Sequence, residues 1–222
     1  MDPDARRRAL LCLALALVGL HPLGLVDDPA RRLAWLAVWA APAGVLAGAW
    51  GGRAACSVPA SWALGLWLVS PPVPRLGWAL AALAGLFAAG LGLGRILGRF
   101  LDGGRTAAVW TGAGGLFLGA ALACALPALG LGAGEAPWSP AAAAGWLDLS
   151  PASLVVEVGG LDWMRHPAVY APVGADSIGP ELRQPFGALA GMTVLLVGCS
   201  LAWVGGLTSR ALRDQRQTHP ED

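Results

Sequence analysis

Long apolar runs alternate with short polar breaks over most of this chain. The runs extend from Ala9 to Val26, Leu33 to Trp50, Ala54 to Ser70, Leu76 to Gly94, Ala107 to Gly132 and Phe186 to Thr208. A helix needs about 17–25 predominantly apolar residues to cross a bilayer, and these runs meet or approach that length. The third is the shortest. It contains Pro59 and stops at Pro71, Pro72 and Pro74, so its alternative is a re-entrant or interfacial helix. Trp35 and Trp39 near the start of the second run, with Trp50 at its end, fit the aromatic belts of a spanning helix. The breaks are a turn around Asp27 to Arg32, a tight connection at Gly51 to Arg53, and a basic loop carrying Arg95, Arg99, Asp102 and Arg105.

One stretch departs from this pattern. From Ala133 to Pro185 the chain turns polar, with Glu135, Asp148, Glu157, Asp162, Arg165, Asp176, Glu181 and Arg183. The pattern therefore predicts an all-α, polytopic transmembrane helix bundle of about six spans. Residues 1–222 form one integral membrane domain, and segment 133–185 lies outside the membrane between the fifth and sixth spans. Within that segment Ser150 and Pro151 suit the cap and first position of a helix. Leu154, Val158 and Leu161 then share a face, which predicts a short interfacial helix on the outer surface. His166 to Pro180 reads as irregular coil. Glu157 stands among valines, where a carboxylate is costly unless it meets water, an arginine or a partner. Arg165 and Arg183 lie on the same side, so Glu157, Arg165 and Arg183 are the candidate functional contacts.

Composition agrees with the membrane class. The chain is 56% hydrophobic and 13% charged, too few charges for the surface of an ordinary soluble domain. A net charge of +1 gives no basic footprint for nucleic acid. All the basic residues are arginine, and their placement orients the bundle. Arg6, Arg7, Arg8, Arg53, Arg95, Arg99, Arg105, Arg210, Arg213 and Arg216 fall on one side, ten in all. Arg31, Arg32, Arg75, Arg165 and Arg183 fall on the other, five in all. The excess predicts both termini in the cytoplasm of a plasma (inner) membrane, with 133–185 outside. The first run also resembles a signal peptide, but no A-x-A site follows it, so it is expected to stay as a span.

The runs carry no Asp, Glu, Lys or Arg in their cores, which argues against ion-coupled transport and intramembrane proteolysis. No nucleotide-binding loop is present. Cys12, Cys56, Cys124 and Cys199 form no CxxC pair, and His166 has no ligand partner at helical spacing, so no catalytic, cofactor or metal site is predicted. Small residues do recur at helical spacing: Gly44 and Gly48, then Gly90, Gly94 and Gly98, then Gly115 and Gly119. Such pairs let helix backbones approach closely, within a tight bundle or across a homodimer face.

The layout resembles the permease subunits of the second class of ATP-binding-cassette exporters: six spans, cytoplasmic ends and a long outer segment before the last span. Those permeases carry an Asn-Pro stretch with aliphatic residues and then an acidic residue. Ser150-Pro151-Ala152-Ser153-Leu154-Val155-Val156-Glu157 is similar, with serine in place of asparagine. The resemblance implies a dimeric permease subunit that works with a separate ABC-type ATPase. The competing expectation is a non-catalytic membrane scaffold or accessory subunit.

Overall fold

The computed structural model describes residues 3–21, 27–69, 73–100, 105–132, 139–163 and 181–218. These are helical with connecting turns, and no strand occurs among them. The helices are α1 Pro3–Leu20, α2 Pro29–Leu46, α3 Ser57–Val69, α4 Leu76–Phe100, α5 Arg105–Gly132, α6 Pro140–Leu149, α7 Pro151–Val158 and α8 Ala188–Thr218. Four helical stretches are long and apolar enough to cross a membrane: Pro29–Leu68, Leu76–Gly98, Thr106–Ala125 and Ala188–Thr208. The chain thus has the features of a membrane protein. The first of the four covers two of the expected spans, because α2 runs through a π-helical turn, Ala47–Gly51, and a 3₁₀ turn, Gly52–Cys56, into α3. The chain reverses there at Gly52, whose φ of 59° suits a residue without a Cβ. α1 is less apolar than these four, because Asp4 and Arg6 to Arg8 occupy its first turns.

Side-chain and backbone contacts fix the helix directions. Trp35 Nε1 donates to Val18 O at 3.2 Å and Trp39 Nε1 to Leu15 O at 3.1 Å, so α1 and α2 are antiparallel. Arg8 reaches Gly52 while Trp62 Nε1 donates to Ala16 O at 3.3 Å, so α3 runs with α1. Ala41 meets Gly90 and Val45 meets Gly94, so α4 runs with α2. Trp50 stacks near Trp110 and Trp35 near Phe117, so α5 runs against α2. Val194 meets Gly85 and Leu201 meets Gly92, so α8 runs with α4. The six longer elements therefore alternate in direction. The start of α1 and the end of α8 lie at the same end of the bundle, and α6 and α7 lie at the other.

The core is built on α4, which is clasped from two sides. Gly90 and Gly94 face α2, where a Cβ would fall on the carbonyl oxygens of Ala41 and Val45. Gly44 and Gly48 answer from α2, against the carbonyls of Phe87 and Leu91. On the opposite side of α4, Gly85 and Gly92 meet Gly198 and Gly205 of α8 backbone to backbone. Glycines at these positions let the axes come closer than any side chain would permit, so dispersion contacts between backbones hold the bundle. The seven-residue spacing of this second set escaped the sequence pattern, which looked for four. Gly98 is also buried.

One expectation is narrowed here and one corrected. Gly115 and Gly119 are exposed, and among the described residues nothing lies within 4 Å of a Cβ placed on either, which leaves the homodimer face as their expected packing partner. α5 instead turns Val109, Ala113 and Ala123 inward. Arg95 is no loop residue: α4 continues through it to Phe100, and its guanidinium donates to Ala202 O on α8 at 3.0 Å.

Candidate functional site

α7 begins where sequence chemistry places it. Ser150 has extended φ and ψ of −77° and 121°, and Pro151 takes the first helical position. The Ser150 hydroxyl nevertheless makes no capping bond. The same Ser-Pro pattern eleven residues earlier starts α6, and there Ser139 Oγ does accept from Ala142 N at 3.3 Å. α6 itself was not foreseen, because an alanine-rich segment gives little hydrophobic periodicity. Its Ala143, Ala144 and Leu147 pack inward while Leu149 is exposed.

The expected interfacial helix is found in a different place. α7 does not lie with one face on a surface. It packs against α2, α4, α5 and α8 as well as α6. Ala152, Ser153, Val155, Val156 and Val158 are fully buried, and Glu157 is 3% exposed. The aliphatic content that suggested an amphipathic surface helix serves instead to fill the bundle end from all sides. The turn after α7 is tied down by Gly160, at φ 80°, and by Arg75 N–H donating to Gly159 O at 2.9 Å.

At 100° per residue, Ser150, Ser153 and Glu157 occupy an arc of roughly 60° on α7, a single polar stripe. Arg183, 4% exposed, meets that stripe. Its Nη1 donates to Glu157 Oε1 at 2.6 Å and its Nη2 to Oε2 at 2.9 Å, a bidentate fork. Phe186 N–H donates to Oε2 at 2.9 Å. Arg183 Nε donates to Asp148 Oδ1 at 2.6 Å, where the Asp148 side chain is half-exposed at the end of α6. The guanidinium also lies over the Phe186 ring, 5.2 Å from its centroid. One arginine thus joins α6, α7 and the segment entering α8. Ser150 Oγ and Ser153 Oγ are buried beside this cluster without a hydrogen-bond partner among the described residues.

Burial pushes the Glu157 carboxyl up from its ordinary value, and the Arg183 and Phe186 donors with the arginine charge offset only part of that rise. For Arg183, burial opposes the charge, but the bonds to Glu157 and Asp148 and their negative charges hold it above the usual arginine value. The guanidinium is what makes a carboxylate tenable at this depth.

Of the predicted contact residues, the structure brings Glu157 and Arg183 together. Arg165 lies outside the described residues. Asp148 was not singled out from sequence; it reaches Arg183 only because α6 and α7 meet in an elbow at Ser150, a relation no spacing rule supplies. Among the described residues no group of three His, Cys, Asp or Glu side chains is placed to hold a metal. No protein-family model matches the chain, and no curated protein or solved structure matches it.

Proposed function

We propose that this chain is a six-span permease subunit of an ABC-type exporter, set in the inner membrane with both termini cytoplasmic and α6 and α7 extracytoplasmic. The observation that carries the reading is the alternation of six helices with a closing insertion before the last. α1 and α8 put the chain ends at one end of the bundle, and α7 is folded back into the other. Arg8, Arg53 and Arg95 belong to the end that holds the termini, which is the cytoplasmic end by the arginine rule. α1, at 18 residues, is about 27 Å long, and the 3₁₀ turn with α3 adds up to about 30 Å, each close to the thickness of a bilayer core of about 30 Å. The Ser150-Pro151…Glu157 stretch that carries the resemblance is the stretch that forms the buried plug and its ion pair. The separate ATPase would dock at the cytoplasmic end, where the turn at Gly52 and Arg53 is exposed.

Purification of the tagged chain from its native membranes in mild detergent tests this. An ATPase subunit in fixed ratio, with ATP hydrolysis that depends on the chain, is the expected result. Purification of the intact chain without an ATPase assigns it to the scaffold class instead. Terminal fusions supply the topology arm: an extracytoplasmic C-terminus beside a cytoplasmic N-terminus would refute six spans.

A further inference from the structure

A cleft of about 310 Å³ lies between α3, α4 and α8. Pro59, Trp62 and Ala63 form one wall, Leu80 and Ala84 the floor, and Leu195 the far wall. It exists because α4 is drawn tightly onto α2 and α8 by glycine contacts, while α3 meets α4 through an edge-on contact of Trp62 with Phe87 at 5.8 Å. The bulk of the indole holds α3 away and leaves the gap. Leu64, Trp67 and Leu68 on α3 are 57–71% exposed, so the cleft opens within an apolar belt of the kind that faces lipid.

A second feature stands near one end of it, two residues before a lining glycine: Gly77 lines the cleft at the α7 end, and Arg75 precedes it. Arg75 is exposed, its stem rests over Gly160, and it makes no ion pair among the described residues. From Arg75 to Ala84 is nine residues, about 14 Å along α4. A cation at one end of an apolar slot of that depth complements an anionic headgroup with a fatty chain below it. We propose that this cleft holds one acyl chain of a phospholipid whose phosphate headgroup is bound by Arg75. The site requires that α4 span the bilayer. It does not require the exporter reading, so a chain without an ATPase would still bind the lipid.

The test uses the full chain in phosphatidylcholine nanodiscs containing a minority of phosphatidylglycerol with a photoactivatable acyl chain. Label should map to Leu80, Ala84 and Leu195 in preference to Leu118 and Leu122 on the open face of α5. Ala84→Phe, which fills the slot, should lower the cleft label at least about tenfold, the equivalent of two methylenes losing their contacts. Ala81→Phe fills the same cleft about one turn nearer Arg75 and should act alike if the first variant does not fold. Arg75→Gln should keep the acyl label but lower the preference for phosphatidylglycerol over phosphatidylcholine about fivefold. Label spread evenly over the cleft and α5, or unchanged by both phenylalanines, overturns the acyl site. An unchanged headgroup preference in Arg75→Gln overturns the role of that arginine.

Discussion

Replacing Arg183 by methionine removes the cation that holds Glu157 inside the protein. Arg183→Met deletes three side-chain hydrogen bonds, two to Glu157 and one to Asp148, and leaves the buried carboxyl with Phe186 N–H. Breaking a buried pair from one side costs about 3–5 kcal/mol, because the surviving charge stays desolvated. For a chain of this size that is a fall of roughly 6–20 °C in Tm. Glu157→Met should sit at the lower end of the range, since Arg183 then keeps half-exposed Asp148. The double variant should recover much of the loss, with a coupling of at least about 2 kcal/mol, because an apolar pair of similar volume carries no desolvation cost. Thermal unfolding in one detergent measures all three. The pH dependence supplies an independent sign. Without Arg183 the folded-state value of Glu157, already raised by burial, rises further. A raised carboxyl contributes stability below its unfolded value near pH 4.3, and loses it as pH rises through the folded value. The deficit of Arg183→Met against the parent should therefore be smallest near pH 4 and grow toward pH 8. Losses under about 1 kcal/mol, additive in the double variant and flat with pH, are those of a surface pair and would refute the buried-lock argument.

Two contrasts follow from glycine geometry. Gly94→Leu should lower the melting temperature strongly, because its Cβ would fall on the Val45 carbonyl, whereas Gly115→Leu on the open side of α5 should leave the monomer's melting unchanged; equal effects would dissolve the distinction between the two glycine sets. Gly160→Ala should cost about 1–2 kcal/mol, because φ there is positive, while Gly145→Ala within α6 should stabilise by about 0.5–1 kcal/mol; denaturant midpoints for the pair check both signs.

The apolar runs made the helices legible because hydropathy is a property of the sequence alone. Their boundaries were less so. α4 passes through Arg95 because a carbonyl on α8 accepts its guanidinium, a contact between residues 107 positions apart. The glycine pairs at 44/48 and 90/94 were legible as packing residues, since four-residue spacing marks one helix face. Their partner was not, and neither was the second clasp: Gly85 and Gly92 meet Gly198 and Gly205 at a spacing of seven, which reads as scatter in a chain with 32 glycines. Gly115 and Gly119 have the same local pattern as the working pairs and, among the described residues, lack only a neighbour. Spacing states which residues share a face, and cannot state whether that face has anything to pack against.

The site divides along the same line. That Glu157 needs a partner followed from its valine surroundings, and Arg183 is one of the two arginines within its own segment, 133–185. The change from surface helix to plug follows from the number of faces that α7 buries. A helix on an interface buries one, and Leu154, Val158 and Leu161 would have filled it. In the fold Val155 and Val156 are buried as completely as Val158, so the helix has apolar neighbours on every side except the stripe of Ser150, Ser153 and Glu157. That stripe is the only face of α7 on which polarity is retained, and it is the face that meets Arg183. Had α7 served merely to fill the bundle end, a leucine at position 157 would fill it without any desolvation cost. A buried carboxylate makes the closure conditional on a guanidinium carried by the segment that leads into α8. Withdrawing Arg183 would therefore either leave Glu157 charged without its guanidinium or protonate it, so the burial of α7 rests on where the segment entering α8 holds that arginine.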